Sequence, residues 1–164
     1  LEEVTCRRTV IPVQELLDAA GKYFKKLMKN RPERIELEIE SMEAKVIGDV
    51  NQLRFLLENL IDEALTVRED GVIRLQARKD NEYIRFLFTD TRREKSVEEL
   101  NQLFYPNLAR MTSGEKGELR GTEYLVCKQI IRDHDEFAGR RGCRINAEPA
   151  EGGGFTVYFT IPRR

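Results

Sequence analysis

The stretch that decides the fold is GDVNQLRFLLENLIDEAL, residues 48–65. Val50, Leu53, Leu56, Leu57, Leu60, Ile61, Ala64 and Leu65 recur at the spacing that gathers them on one face of an α-helix, a broad apolar stripe made to lie on a core. Asp49, with Gln52 three residues on, has the pattern of a capping box, in which the carboxylate accepts an orphan N–H of the first turn. Asn59 and Glu63 stand one helical turn apart at the edge of the stripe, where they can line a pocket bordering the core. Read from the helix alone, they are solvated flank residues.

Upstream, Val4, Cys6, Arg8 and Val10 mark a short extended entry. Pro12 sits where a helix begins, and Val13, Leu16, Leu17, Ala20, Phe24, Leu27 and Met28 keep helical spacing up to the stop at Asn30, Arg31 and Pro32. Ile35, Leu37 and Ile39 then alternate with glutamates, and Ala44 to Ile47 is a second extended piece, so a hairpin or an adjacent pair of strands is expected there.

Downstream, Asp70 and Gly71 introduce a strand through Val72, Ile73, Leu75 and Ala77, Asp80 and Asn81 turn it, and Tyr83 to Thr89 returns. Ser96 with Glu99 is a second capping box, opening a short helix through Val97, Leu100 and Leu103. Tyr105 to Arg120 is polar and aperiodic and reads as a long, lid-like loop. Thr122 to His134 is helical, and a final hairpin, Cys143 to Ala147 and Phe155 to Ile161, turns over Gly152, Gly153 and Gly154. Helices segregated against a mixed, mostly antiparallel sheet make an α/β protein of the two-layer sandwich kind.

A chain of 164 residues with 40% hydrophobic content can bury one good core, so residues 1–164 are expected to form a single domain. With 28 basic and 29 acidic side chains the net charge is only -1, and no charge excess asks for nucleic acid or a membrane surface as partner. The basic groups Arg92, Arg93, Lys95 and Arg140, Arg141, Arg144 are interspersed with glutamates and lack aromatic stacking partners, so they read as solvated surface. Cys6, Cys127 and Cys143 have no CxxC spacing and are odd in number, which fits a reducing, cytoplasmic setting. No apolar run approaches a membrane span, and the start at Leu1 suggests a piece of a longer protein whose anchor, if it has one, lies elsewhere.

Four strings carry a resemblance to the catalytic domain of sensor histidine kinases, members of the GHKL superfamily with the Bergerat ATPase fold. Residues 48–65 resemble the N box, where the family places two asparagines one turn apart, the second helping to chelate Mg2+; Asn59 matches the first, and Glu63 takes the place of the second. FLFTDTRREKS, residues 86–96, stands at the DxGxG box; Asp90 matches the aspartate that accepts a hydrogen bond from the adenine amino group, while Arg92 and Glu94 replace the two glycines. LRGTEYLVCKQIIRDH, residues 119–134, resembles the GxGLGL box and its helix, whose N-terminus holds phosphates. There Gly121 is kept with Thr122 beside it, and Leu119 and Glu123 replace the neighbouring glycines. GCRINAEPAEGGGFTVYFTIP, residues 142–162, matches the terminal hairpin and carries fold rather than chemistry.

The resemblance implies ATP and Mg2+ as cofactors, with Asn59, Glu63, Asp90, Gly121 and Thr122 at the nucleotide and Asn59 and Glu63 at the metal. It implies phosphorylation of a histidine on a separate helical hairpin, which dimerises the parent protein, and a response regulator as further partner, with no nucleic acid or direct membrane contact. The altered glycines imply weakened nucleotide binding. They leave open a pseudokinase module that no longer binds ATP; an anti-sigma-factor kinase fits the same scaffold. Glu123 in a first helical turn is either an internal anion in place of phosphate or ordinary helix chemistry. His134, the only histidine, lies in an HDEF context unlike the phosphoacceptor pattern and reads as structural.

Overall fold

A computed structural model describes residues 7–105, 122–137 and 142–164. The alternating segments become β-strands and the periodic ones helices, in the order β1 (Thr9–Pro12), α1 (Val13–Met28), β2 (Ile35–Ile39), β3 (Lys45–Gly48), α2 (Val50–Ala64), β4 (Gly71–Asp80), β5 (Tyr83–Asp90), α3 (Val97–Gln102), α4 (Glu123–Phe137), β6 (Ile145–Pro149) and β7 (Phe155–Pro162). Five strands form one sheet in the order β2-β4-β5-β7-β6, antiparallel except for the parallel β2–β4 pair. β1 and β3 make a separate antiparallel pair.

The expected pairing of the two extended pieces between α1 and α2 is corrected here. β2 runs parallel to β4 and β3 runs antiparallel to β1, so these neighbours in sequence belong to different sheets. Each strand follows the partner that matches its apolar residues: Ile35 continues the buried row of β4, and Val46 lies fully buried against β1.

Along β4, Ile73, Leu75 and Ala77 point into the core, as the two-residue period of a strand requires. Leu16 and Leu17 of α1, Leu53, Leu56, Leu57 and Leu60 of α2, and Ile130 and Ile131 of α4 cover that face. Phe86 and Phe159, partners across β5 and β7, stack with centroids 4.8 Å apart at the centre. The opposite face carries Arg74 paired with Glu38 and Arg78 paired with Glu40, side chains about half exposed, so it stays wet and asks for no third layer. The sandwich therefore has two layers.

Both capping-box patterns read from sequence cap their helices, to different degrees. Ser96 and Glu99 exchange both bonds of a full capping box. Asp49 accepts from the Gln52 N–H at 3.0 Å, but Gln52 does not reciprocate, and its Oε1 is buried without a hydrogen-bond partner. α4 starts at Glu123 and runs on to Phe137, past the expected stop at His134, and β6 lies two residues later than its sequence reading. Cys6, the greater part of the expected lid, Leu119, Gly121, Arg140 and Arg141 lie outside the described residues.

Candidate functional site

Strand register fixes one end of the site. Asp90 is the last residue of β5, facing Ile73 of β4 on one side and Phe155 of β7 on the other. Its side chain is 4% exposed, and that of Arg92 is 1% exposed. The solvated-surface reading of Arg92 is therefore wrong, for a specific reason. The carboxylate turns back on its own chain: Oδ1 accepts from the Arg92 backbone N–H at 3.0 Å and from Nε at 2.9 Å, and Oδ2 accepts from Nη2 at 2.9 Å.

The rest of the guanidinium reaches the end of α2. Nη2 also donates to the Ala64 carbonyl at 2.6 Å, and Nη1 donates to Val67 O and Glu69 O, both at 2.9 Å. All five N–H groups of the side chain are thus engaged. The carbonyls at a helix C-terminus lack intrahelical partners and carry the negative end of the dipole, which suits a cation. Gly71 makes the room: its φ is +146°, and a Cβ there would come within 2.5 Å of Arg92 Cγ.

The middle of the site lies on α2. Asn59 is buried, and its Nδ2 donates to Phe55 O at 2.7 Å, a bond that leaves the amide oxygen out of it. Glu63, one turn on, adjoins Ala64 and hence the Arg92 contacts. Opposite α2 stands the start of α4, where Cys127 Sγ donates to Leu56 O at 3.6 Å. Burial pushes the Cys127 thiol far up, and the negative charges of Glu123 and Glu63 add to the rise. Glu123 Oε2 is buried with no hydrogen-bond partner among the described residues. Thr122 precedes the helix and its carbonyl accepts from Val126 N–H at 3.0 Å. Asn59 and Glu63 thus lie on α2, Asp90 reaches the end of that helix through Arg92, and Thr122 and Glu123 stand at the start of α4, which packs on α2.

The far end of α2 is held by His134. Its Nε2 accepts the Asp49 N–H at 3.0 Å while Nδ1 lies 2.8 Å from Ile130 O, a pairing that fixes the neutral Nδ1–H tautomer. Burial drives the imidazole below its ordinary range, outweighing the Ile130 carbonyl and the Asp49 and Asp133 carboxylates, which favour the cation. The structural reading of this histidine agrees with that placement.

A pH dependence follows. The unfolded chain takes up a proton near about pH 6.5 whereas the folded chain resists it, so this contribution to stability is intact above that pH and is lost as pH falls below it. Urea midpoints measured from pH 7.5 to 5 are expected to fall, with a slope of at most about 1.4 kcal/mol per pH unit from this group. A His134→Gln variant should show a flatter profile over that window; an unchanged slope would exclude His134 as its source. Glu33, Glu40 and Glu99, whose carboxyls are held below the usual range, act only at lower pH.

Sequence reasoning placed Asp90 and Asn59 at the site but missed the burial of Arg92. The available signal was the Asp-x-Arg spacing, which suits a carboxylate bonding a backbone N–H two residues on, together with the glycine at position 71.

The family described as histidine kinase-, DNA gyrase B-, and HSP90-like ATPase matches residues 48–164, well over half of the chain. The chain belongs to this ATPase family. A mycobacterial sensor histidine kinase, MprB, shares the fold of this ATPase domain with a TM-score of 0.74 at 18% identity, over 96% of this chain and 99% of that one. The nucleotide-free catalytic domain of the histidine kinase ThkA superposes with a TM-score of 0.74 at 21% identity, over 96% of each chain. ThkA bound to the response regulator TrrA gives 0.70 at 19% identity, over 97% of this ATPase domain and 42% of that chain. No protein of curated function matches the sequence. Among the described residues, no helix is long and apolar enough to cross a membrane.

Proposed function

We propose that this chain is the ATP-binding catalytic domain of a two-component sensor histidine kinase, one domain of a longer protein, acting in the cytoplasm. It would phosphorylate a histidine on a separate dimerising hairpin, from which a response regulator takes the phosphoryl group. The observation that carries this reading is the packing of α2, which bears Asn59 and Glu63, against α4, joined by the Cys127 to Leu56 bond, on a scaffold of the ATPase family.

The residues fit the two ends of Mg-ATP unequally. At the phosphate end, hard oxygen donors fit a magnesium ion: the Asn59 amide oxygen, which its hydrogen bond leaves out, and the Glu63 carboxylate. Among the described residues no cluster of three or more His, Cys, Asp or Glu side chains is arranged to hold a metal, so phosphate oxygens would complete the shell, as is usual for magnesium. When bound, the ion neutralises charge on the phosphates. Asn59 and Glu63 would position it, and Gly121 and Thr122 would meet the phosphates at the start of α4. Glu123 opposes them, since a carboxylate in the first turn competes with phosphate for the same dipole.

At the base end, Asp90 is already engaged by Arg92. That pair, with Glu123 at the phosphate end, favours a pseudokinase, whereas the family match favours a nucleotide-binding domain. Calorimetric titration with ATP, ADP and Mg2+ tests the choice: the expected Kd lies between roughly 0.1 and 1 mM, dependent on Mg2+. Glu123→Gly should tighten binding. No heat up to millimolar nucleotide would establish the pseudokinase instead.

A further inference from the structure

We infer that Arg92 sets the base selectivity of this site: its guanidinium occupies the carboxylate through which a purine would be read, so the domain binds ATP and GTP nearly alike. The inference rests on the nucleotide-binding reading and deepens it.

Asp90 has about four acceptor positions as a carboxylate, and Arg92 takes three of them, two on Oδ1 and one on Oδ2. The fourth lies on an oxygen of a side chain only 4% exposed. A purine seated with its six-position toward Asp90 offers an amino donor if it is adenine and a carbonyl if it is guanine. A bare carboxylate would accept from the first and repel the second. A carboxylate already neutralised by a side-on guanidinium does neither with much force, because its charge and lone pairs are spent on a stronger, charge-assisted partner.

Arg92 is also not a side chain that swings aside easily. Its other N–H groups are tied to Ala64, Val67 and Glu69, and its stem lies over Gly71, where any side chain would collide with it. One neutral hydrogen bond from an adenine amine cannot replace that set. Affinity therefore comes from the phosphate end, from Asn59, Glu63 and the start of α4, which are blind to the base.

The test uses the whole chain with Mg-ATP and Mg-GTP as probes. Titration of the wild type is expected to give Kd values within about threefold of each other. At saturation, the Arg92 Nε–Hε signal in 15N NMR should stay protected from solvent exchange. In Arg92→Ser the freed Asp90 is expected to favour ATP over GTP by about tenfold or more; Arg92→Lys, which keeps the charge without the fork, should fall between. If Arg92→Ser does not fold, the wild-type selectivity and the NMR signal decide the matter alone. A wild-type preference for ATP of tenfold or more, or loss of the Nε–Hε protection when ATP binds, overturns this inference and leaves the nucleotide-binding domain standing. Absence of binding by the wild type and by every variant overturns both.

Discussion

Arg92→Met will lower the stability of the folded domain by about 3–5 kcal/mol, the range for breaking a buried ion pair from one side. The magnitude follows from what is left behind. Asp90 keeps only the Arg92 backbone N–H, and its charge stays in a place where the side chain is 4% exposed. The carbonyls of Val67 and Glu69 lose the Nη1 donor, and that of Ala64 loses Nη2 but keeps the Val67 N–H at 3.2 Å. Methionine fills much of the stem volume over Gly71, so packing loss is a minor part. Urea denaturation monitored by circular dichroism reads the change directly. The double variant Asp90→Asn with Arg92→Met should recover part of the loss, because it removes the stranded charge. A single-variant loss below about 1 kcal/mol would place the pair among exposed ion pairs of little worth and contradict the burial described above.

Gly154→Ala is expected to cost about 2–4 kcal/mol. Gly154 precedes β7 with φ at +86°, a region that penalises any Cβ by about 1–2 kcal/mol. The Cβ would also press against the Asp90 carbonyl oxygen, and Thr91 Cα would lie 2.7 Å away, so backbone must move rather than a flexible side-chain end. Gly152 provides the control: its φ is +87°, but nothing lies within 4 Å of a Cβ there, so Gly152→Ala should show the conformational cost alone. Thermal unfolding of the two variants side by side separates strain from collision. Equal losses would mean that the contact with Asp90 is relieved without cost.

Much of this fold is legible in the sequence itself. The apolar stripe of α2, its Asp49 cap, the β4–β5 hairpin and the terminal strand pair are local patterns, and local patterns are what a sequence displays. The parallel pairing of β2 with β4 was not, because it joins segments separated by the whole of α2 and nothing in Ile35–Ile39 names its partner. Asn59 and Asp90 were placed by resemblance to the family. What surrounds them was not placed, since the Arg92 contacts depend on space at Gly71 and on carbonyls at the end of another element. The orphaned Glu123 oxygen is likewise a property of packing between α2 and α4, which composition cannot reveal.

The fit of Arg92 over Gly71 also limits the routes by which such a site arises or reverts. An arginine seated as Arg92 is beside any larger residue at 71 would meet it at collision distance, so this seat requires glycine at 71. Reversion meets the opposite obstacle: glycine at 92 alone strands Asp90 and leaves a void above Gly71. Substitutions that share a contact are not additive, and here the coupling acts as a ratchet: a change at 92 that removes the guanidinium gives up its bonds to Asp90, Ala64, Val67 and Glu69 at once.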